Sequence, residues 1–153
     1  MITREDDGLW INIEETIAIH HEEVFACLTT VAGLTRWFCM SAEVDLRPGG
    51  TIVFGWDANL ERKTTRAILD YDAGGLIVWD WFAANGETHA PVYWQVAPNV
   101  ESGSIVKLRQ GPFKPEIDDV ISLANEAQTW RWHLCNLRTT LEAKHDMRKV
   151  RPL

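Results

Sequence analysis

The sequence predicts an α+β domain in which a curved antiparallel sheet of about seven strands wraps around a long C-terminal helix, with two short helices after the first strand. Three observations carry this. Seven short segments alternate apolar and polar residues with period two, as half-buried strands do. Gly and Pro residues fall between these segments as turn signals. From about Asp118 the period changes, and Val120, Leu123, Ala127, Trp130, Leu134, Leu137 and Leu141 recur at three- and four-residue steps, the stripe of one amphipathic helix.

The first strand is LWINIEETIAIH, with Ile11, Ile13, Ile17 and Ile19 on one face and Glu15 interrupting the series. HHEEVFACLTT then reads as a short helix, its Glu22 and Glu23 near the positive end of the helix dipole. LTRWF, after Gly33, makes a further helical turn. A meander follows: AEVDL, a turn at Pro48-Gly49-Gly50, TIVFGW, TTRAILDY, a turn at Gly74-Gly75, LIVWDWF, PVYWQVA and SIVKLRQ. On strict alternation Ala67, Leu69 and Tyr71 oppose Arg66, Ile68 and Asp70, and Thr65 joins the inward set. The last helix is expected to run to about His145, about 42 Å at 1.5 Å per residue, with Asp118 and Asp119 at its start. So long a helix needs an apolar partner, and the tryptophan face of the sheet supplies it.

Size and charge bound the function. At 153 residues the chain has the length of one domain, expected to span 1–153. A net charge of −7 and dispersed Lys and Arg, apart from a short C-terminal cluster, make nucleic acid and anionic membranes poor partners. Three cysteines, Cys27, Cys39 and Cys135, show no metal-type spacing and suit a reducing, cytoplasmic setting. The polar, acidic MITREDDG start is unlike a signal peptide, and no segment approaches a membrane span, so a soluble, unprocessed chain is expected.

The aromatic residues define the candidate site. In VWDWF, alternation sets Ile77, Trp79 and Trp81 on the buried face and turns Asp80 outward to solvate the strand. By the same parity Phe54, Trp56, Trp94, Trp130 and Leu134 converge with them. A solid aromatic core and a ligand cavity fit these residues alike. The inward polar groups are Glu15, Thr65, Tyr71 and Gln110; Tyr71 and Gln110 suit core hydrogen bonding, or orientation of a ligand. Glu15 is the one carboxylate nominated as an acid or base, and a bulge that rotates it outward is the favoured expectation. Adjacent His20 and His21 point apart on regular backbone, and His89, His133 and His145 are scattered, so no metal site and no cofactor are expected. Trp132 falls about opposite the apolar stripe, on the helix's outer face, where it is either singly exposed or a subunit or partner contact.

Four segments carry a family resemblance: EEVFACLTTVAGLTRWF, AEVDLRPGGTIVF, LIVWDW ending in Trp81, and WRWHLCNLRTTLEAKHDMR with Trp130, Leu134, Leu137, Leu141, Glu142, Asp146 and Arg148. Together they resemble the START-like (SRPBCC, helix-grip) superfamily and, within it, the family named for the activator of the heat-shock-protein-ninety ATPase. The pattern is departed from at two places: His20-His21 replaces a small residue and proline, and Thr129 stands where a glycine lets the helix lie close to the sheet. The resemblance implies a cavity between sheet and helix, and so favours non-enzymatic binding of a small, mostly apolar molecule by Phe54, Trp56, Tyr71, Trp79, Trp81, Trp94, Gln110, Trp130 and Leu134. It also implies two alternatives: a co-chaperone-like interaction module with a chaperone or a second copy as partner, and a cyclase, dehydratase or hydrolase using Glu15 in the same cavity.

Overall fold

Among residues 1–150, which the computed structural model describes, the strand alternation resolves into eight strands, one more than expected. Residues 151–153, the end of the expected 1–153 domain, lie outside the described residues. The added strand is β1 (Ile2–Glu5), where only Ile2 is apolar; it forms by pairing with β2 (Gly8–Ile17), Ile2 opposite Ile11 and Glu5 opposite Gly8. Then come α1 (His21–Thr29), α2 (Val31–Trp37), β3 (Ser41–Val44), β4 (Thr51–Gly55), β5 (Lys63–Asp72), β6 (Leu76–Trp79), β7 (Val92–Pro98) and β8 (Ser104–Phe113). The chain closes with α3 (Ile117–Ala143) and a 3₁₀ turn, Met147–Lys149.

The strands form one antiparallel sheet in the order β1-β2-β8-β7-β6-β5-β4-β3, curved and not closed. Pairing of β2 with β8 brings the first long strand beside the last, so the two short helices are an excursion between sheet centre and far edge. At 27 residues α3 is about 40 Å long, starting at Ile117 and ending two residues short of the expected His145 because Lys144 turns left-handed. Its Leu123, Trp130, Leu134, Leu137 and Leu141 are buried in the core with Ile11, Ile13, Ile77, Trp79, Trp94 and Leu108 of the sheet.

Three expectations of side-chain direction fail, each for a local reason. In β5 the register slips between Ile68 and Asp70, so Leu69 bulges outward, 44% exposed, while Ile68 is buried. Thr64 and Arg66, opposite the inward Phe54 and Ile52, take the inner side, and Thr65 is exposed. In β2 the register shift lies between Leu9 and Ile11, not at Glu15, which keeps its inward parity opposite Val106. Thr129 is exposed and its hydroxyl donates to the Asn125 carbonyl at 3.0 Å, so it does not press on the sheet.

Gly33 is a position of close backbone approach between two helices. A Cβ there would collide with the Ala26 carbonyl and the Cys27 Cα, so α1 and α2 pack as tightly as they do because residue 33 has no side chain. Thr30 links the two helices: its amide donates to the Ala26 carbonyl and its hydroxyl accepts from Gly33 N at 2.9 Å.

Candidate functional site

The tryptophans meet between sheet and α3. Ring centroids lie 5.2 Å apart for Trp79 and Trp94, 5.7 Å for Trp94 and Trp130, and 5.7 Å for Trp81 and Trp130. Phe54 joins Trp79 at 5.0 Å, and Phe38 joins Phe54, Trp56 and Trp79 at 5.3 to 5.7 Å. Such tilted and edge-on pairs are each worth about 0.5–1.5 kcal/mol beyond the area they bury. Leu134 is buried beneath the same helix stripe, whereas Tyr71 stacks on Phe25 of α1 at 6.3 Å, apart from the run of ring contacts that links the tryptophans.

Hydrogen-bond accounting separates these indoles. Trp10, Trp37, Trp56 and Trp130 each donate to a protein acceptor at 2.8–3.0 Å. The Nε1–H groups of Trp79 and Trp94, both residues 0% exposed, have no acceptor among the described residues. A buried donor left unpaired costs about 1–3 kcal/mol, so two adjacent ones need a reason. Gln110 cannot serve them: its Oε1 accepts from Trp130 at 2.8 Å and its Nε2 donates to the Ala90 carbonyl at 3.2 Å.

Two titratable groups of α3 enter the same region. Glu126, one turn before Trp130, is half-buried with Oε2 unpartnered; burial pushes its carboxyl up to about 7, against a hydrogen bond from Gln110 and with help from the Asp119 charge. His133, its ring 4.9 Å from Phe38 and 5.8 Å from Trp130, has an unpartnered Nδ1; burial, aided by the Arg148 charge, lowers its pKa to about 4, so the imidazole is neutral near pH 7. Arg66 adds a guanidinium 5.2 Å above the Trp81 ring. Sequence reasoning missed all three. Glu126 and His133 lie only about 40° and 60° around the helix from Trp130, a signal that periodicity could have supplied; Arg66 was hidden by the bulge at Leu69.

Glu15, the nominated acid or base, is instead met by two guanidiniums of α3. Arg131 donates to Oε2 at 2.9 Å and Arg138 to Oε1 at 2.8 Å, which occupies both oxygens. Asp80 does not merely solvate its strand but pairs with His89 Nε2. His20 caps α1, its Nδ1 accepting from Glu22 N, so His20 and His21 leave regular backbone and their rings lie 4.4 Å apart rather than pointing away from each other. Among the described residues no group of three or more His, Cys, Asp or Glu is placed to hold a metal ion, and no helix is long and apolar enough to cross a membrane. Asp119 does more than begin the helix: Asn85, Thr88 and Lys114 N all donate to it, tying the 85–88 loop to α3.

A cleft of about 550 Å³ opens onto the aromatic cluster, lined by Phe38, Met40, Trp56, Trp132, His133 and Arg148 among others. The C-terminal turn makes one wall. Arg148 donates to the carbonyls of Cys39 and Thr35 at 2.9 and 3.0 Å and pairs with Asp146. Asn136, fully buried, donates to the Trp37 carbonyl at 2.8 Å and accepts from Met147 N at 2.6 Å. This turn overturns the outer-face expectation for Trp132: the chain reverses at Lys144 and lays residues 146–149 along that side of α3, leaving Trp132 half-buried in the cleft. A second groove, about 930 Å³, includes Asn12, Tyr93, Gln95, Lys107 and Arg109, with Arg109 stacked on Trp10 at 4.4 Å.

A curved antiparallel sheet closed over by one C-terminal helix, with an aromatic interior between them, defines the helix-grip architecture of the START-like superfamily. A sequence profile described as "Activator of Hsp90 ATPase homolog 1-like protein" matches residues 18–143, and the chain belongs to that family. Solved structures share the fold: a Staphylococcus saprophyticus protein, 20% identical, with 91% of this chain and 96% of that one covered at a TM-score of 0.76; the Aha1 dimer from Colwellia psychrerythraea, 19% identical, 87% and 96% covered, TM-score 0.71; and an AHSA1-like protein from Aeromonas hydrophila, 18% identical, 88% and 93% covered, TM-score 0.66. No curated relative matches the chain.

Proposed function

We propose that the protein binds a small, mostly apolar molecule, without chemistry, in the space between the sheet and α3. One observation carries this reading: a cleft of about 550 Å³, lined in part by Phe38, Trp56 and His133, abuts a continuous aromatic cluster in which two buried indole N–H groups have no acceptor among the described residues. Core packing alone has no use for unpaired donors, whereas an apolar interior with a few polar groups is the general form of a small-molecule site. Trp56 stands at the entrance, and Phe54, Trp79, Trp81, Trp94, Trp130 and Leu134 line the interior. Gln110 acts by holding Trp130, and Tyr71 supports the α1 end. A ligand that buries about 200 Å² of apolar surface gains about 5 kcal/mol before ordering costs.

Titration of intrinsic tryptophan fluorescence with an apolar library tests the reading. Quenching or a blue shift that saturates, and that weakens at least tenfold in Trp56→Ala, supports it. A silent titration of folded wild-type protein retires it.

A second reading, contact with another protein chain, rests on the apolar rim of the same cleft, where Met40 is 64% exposed and Trp132 half-exposed. The structurally similar Aha1 from Colwellia psychrerythraea is a dimer. A homodimer or a chaperone complex that sediments as such and dissociates in Trp132→Ala would favour this reading over the first.

A further inference from the structure

We propose that the ligand of the sheet–helix interior carries a hydrogen-bond acceptor, a carbonyl or equivalent oxygen on an apolar body, bound by the indole N–H groups of Trp79 and Trp94 and the carboxyl of Glu126. The inference rests on the small-molecule reading above and adds the ligand's chemistry to it.

The argument is one of donor and acceptor balance. An indole nitrogen can only donate. Trp79 and Trp94 are adjacent, 5.2 Å between centroids, and both N–H groups are buried without an acceptor. The acceptors close by are committed: Gln110 Oε1 to Trp130, the Ala90 carbonyl to Gln110, and the Cys27 carbonyl to Trp37. These two donors therefore stand without an acceptor among the described residues, and a pure hydrocarbon would leave them so.

Glu126 extends this set. Its Oε2 is buried without a partner, one turn from Trp130, whose ring meets Trp94 edge-on at 5.7 Å. With its carboxyl pushed up to about 7, Glu126 below that pH is a third donor. The groups around it from other elements do not replace this role. The sheet presents the uncharged Gln110 from β8, and Asp119 on its own helix adds negative charge. Glu15 of β2 is neutralised by Arg131 and Arg138, the C-terminal turn presents the Asp146–Arg148 pair beside His133, and Arg66 of β5 lies over Trp81. Above its pKa the carboxylate loses its proton and repels a carbonyl oxygen, so acceptor binding weakens as pH rises through about 7.

The test uses the full chain with ¹⁵N-labelled tryptophan and two probes of matched shape, 2-acetylnaphthalene and 2-ethylnaphthalene. The ketone is expected to bind about tenfold more tightly at pH 6, as one or two added hydrogen bonds allow. It should also move the indole N–H proton signals of Trp79 and Trp94 downfield of their positions with the hydrocarbon bound, whose ring current is the same. In Trp94→Phe, or Trp79→Phe should the first variant not fold, the preference should fall below about threefold. The wild-type preference should decline between pH 6 and 8, and stay level in Glu126→Gln, whose amide still donates. Equal binding of both probes overturns the acceptor inference and leaves the small-molecule reading standing; failure of both to bind overturns the two together. A preference that survives both Phe variants removes the indoles from the assignment, and one that is flat with pH in the wild type removes Glu126.

Discussion

Replacing Asn136 by alanine tests whether the C-terminal turn is a built wall of the cleft or a loosely laid tail. The side chain is fully buried and makes three hydrogen bonds: to the Trp37 carbonyl at 2.8 Å, to Asp146 Oδ1 at 3.2 Å, and from Met147 N at 2.6 Å. Each such bond contributes about 1 kcal/mol net, and the orphaned carbonyl of Trp37 and amide of Met147 add to that wherever water does not reach them. The expected loss is about 3 kcal/mol, or about 6–12 °C in Tm for a chain of this length. Urea unfolding followed by tryptophan fluorescence measures it, with Asn125→Ala as the control: Asn125 is exposed on the same helix, and its substitution should stay within about 0.5 kcal/mol. A loss below about 1 kcal/mol for Asn136→Ala would refute the reasoning, because the turn would then stand without the residue that ties it to α2 and α3.

Gly33→Ala should destabilise by about 2 kcal/mol or more, measured by the same unfolding assay, since the added methyl has nowhere to go but into the Ala26 carbonyl. Glu126, with a native pKa of about 7 above the ordinary 4.5, holds a proton that the unfolded chain has lost, so its contribution to stability declines as pH rises from 4.5 to 7. Glu126→Gln should remove that decline, and the variant should gain on the wild type across this window and hold a constant advantage above it. His133 runs the opposite way: with its native pKa lowered to about 4, stability is lost as pH falls from 6.5 towards 4, and a histidine-selective NMR titration should find it still neutral at pH 5.5. The Asp146 carboxyl, which burial alone would raise, is held below its ordinary 3.8 by hydrogen bonds from Arg148 and Asn136, so its contribution should persist above about pH 5 and vanish in acid, with a weaker acid transition in Arg148→Met.

The aromatic core was legible from periodicity because alternation in a strand and a 3.6-residue repeat in a helix are local properties of backbone geometry. Trp79, Trp94 and Trp130 could be assigned to one interior on that pattern alone. The errors fall where a second strand decides. Leu69 and Ile68 exchanged places because β6 pairs with β5 through a bulge, and no pattern within TTRAILDY marks it. β1 exists because β2 presents an unpaired edge to it, not because ITRE favours a strand. Glu126 and His133 are a different case. A polar residue at the margin of an apolar stripe ordinarily faces water, and only the sheet-side neighbours, α2 and the returning C-terminal turn take that water away.

The order of amino acids by itself determined which face of each element is apolar, and hence that sheet and helix must close on one another. The tertiary structure alone decided which polar atoms at the edges of those faces are desolvated: the indole nitrogens of Trp79 and Trp94, the carboxyl of Glu126 and the imidazole of His133. Side-chain direction follows from the backbone a few residues either way, whereas loss of hydration depends on segments tens of residues distant being laid over the same spot.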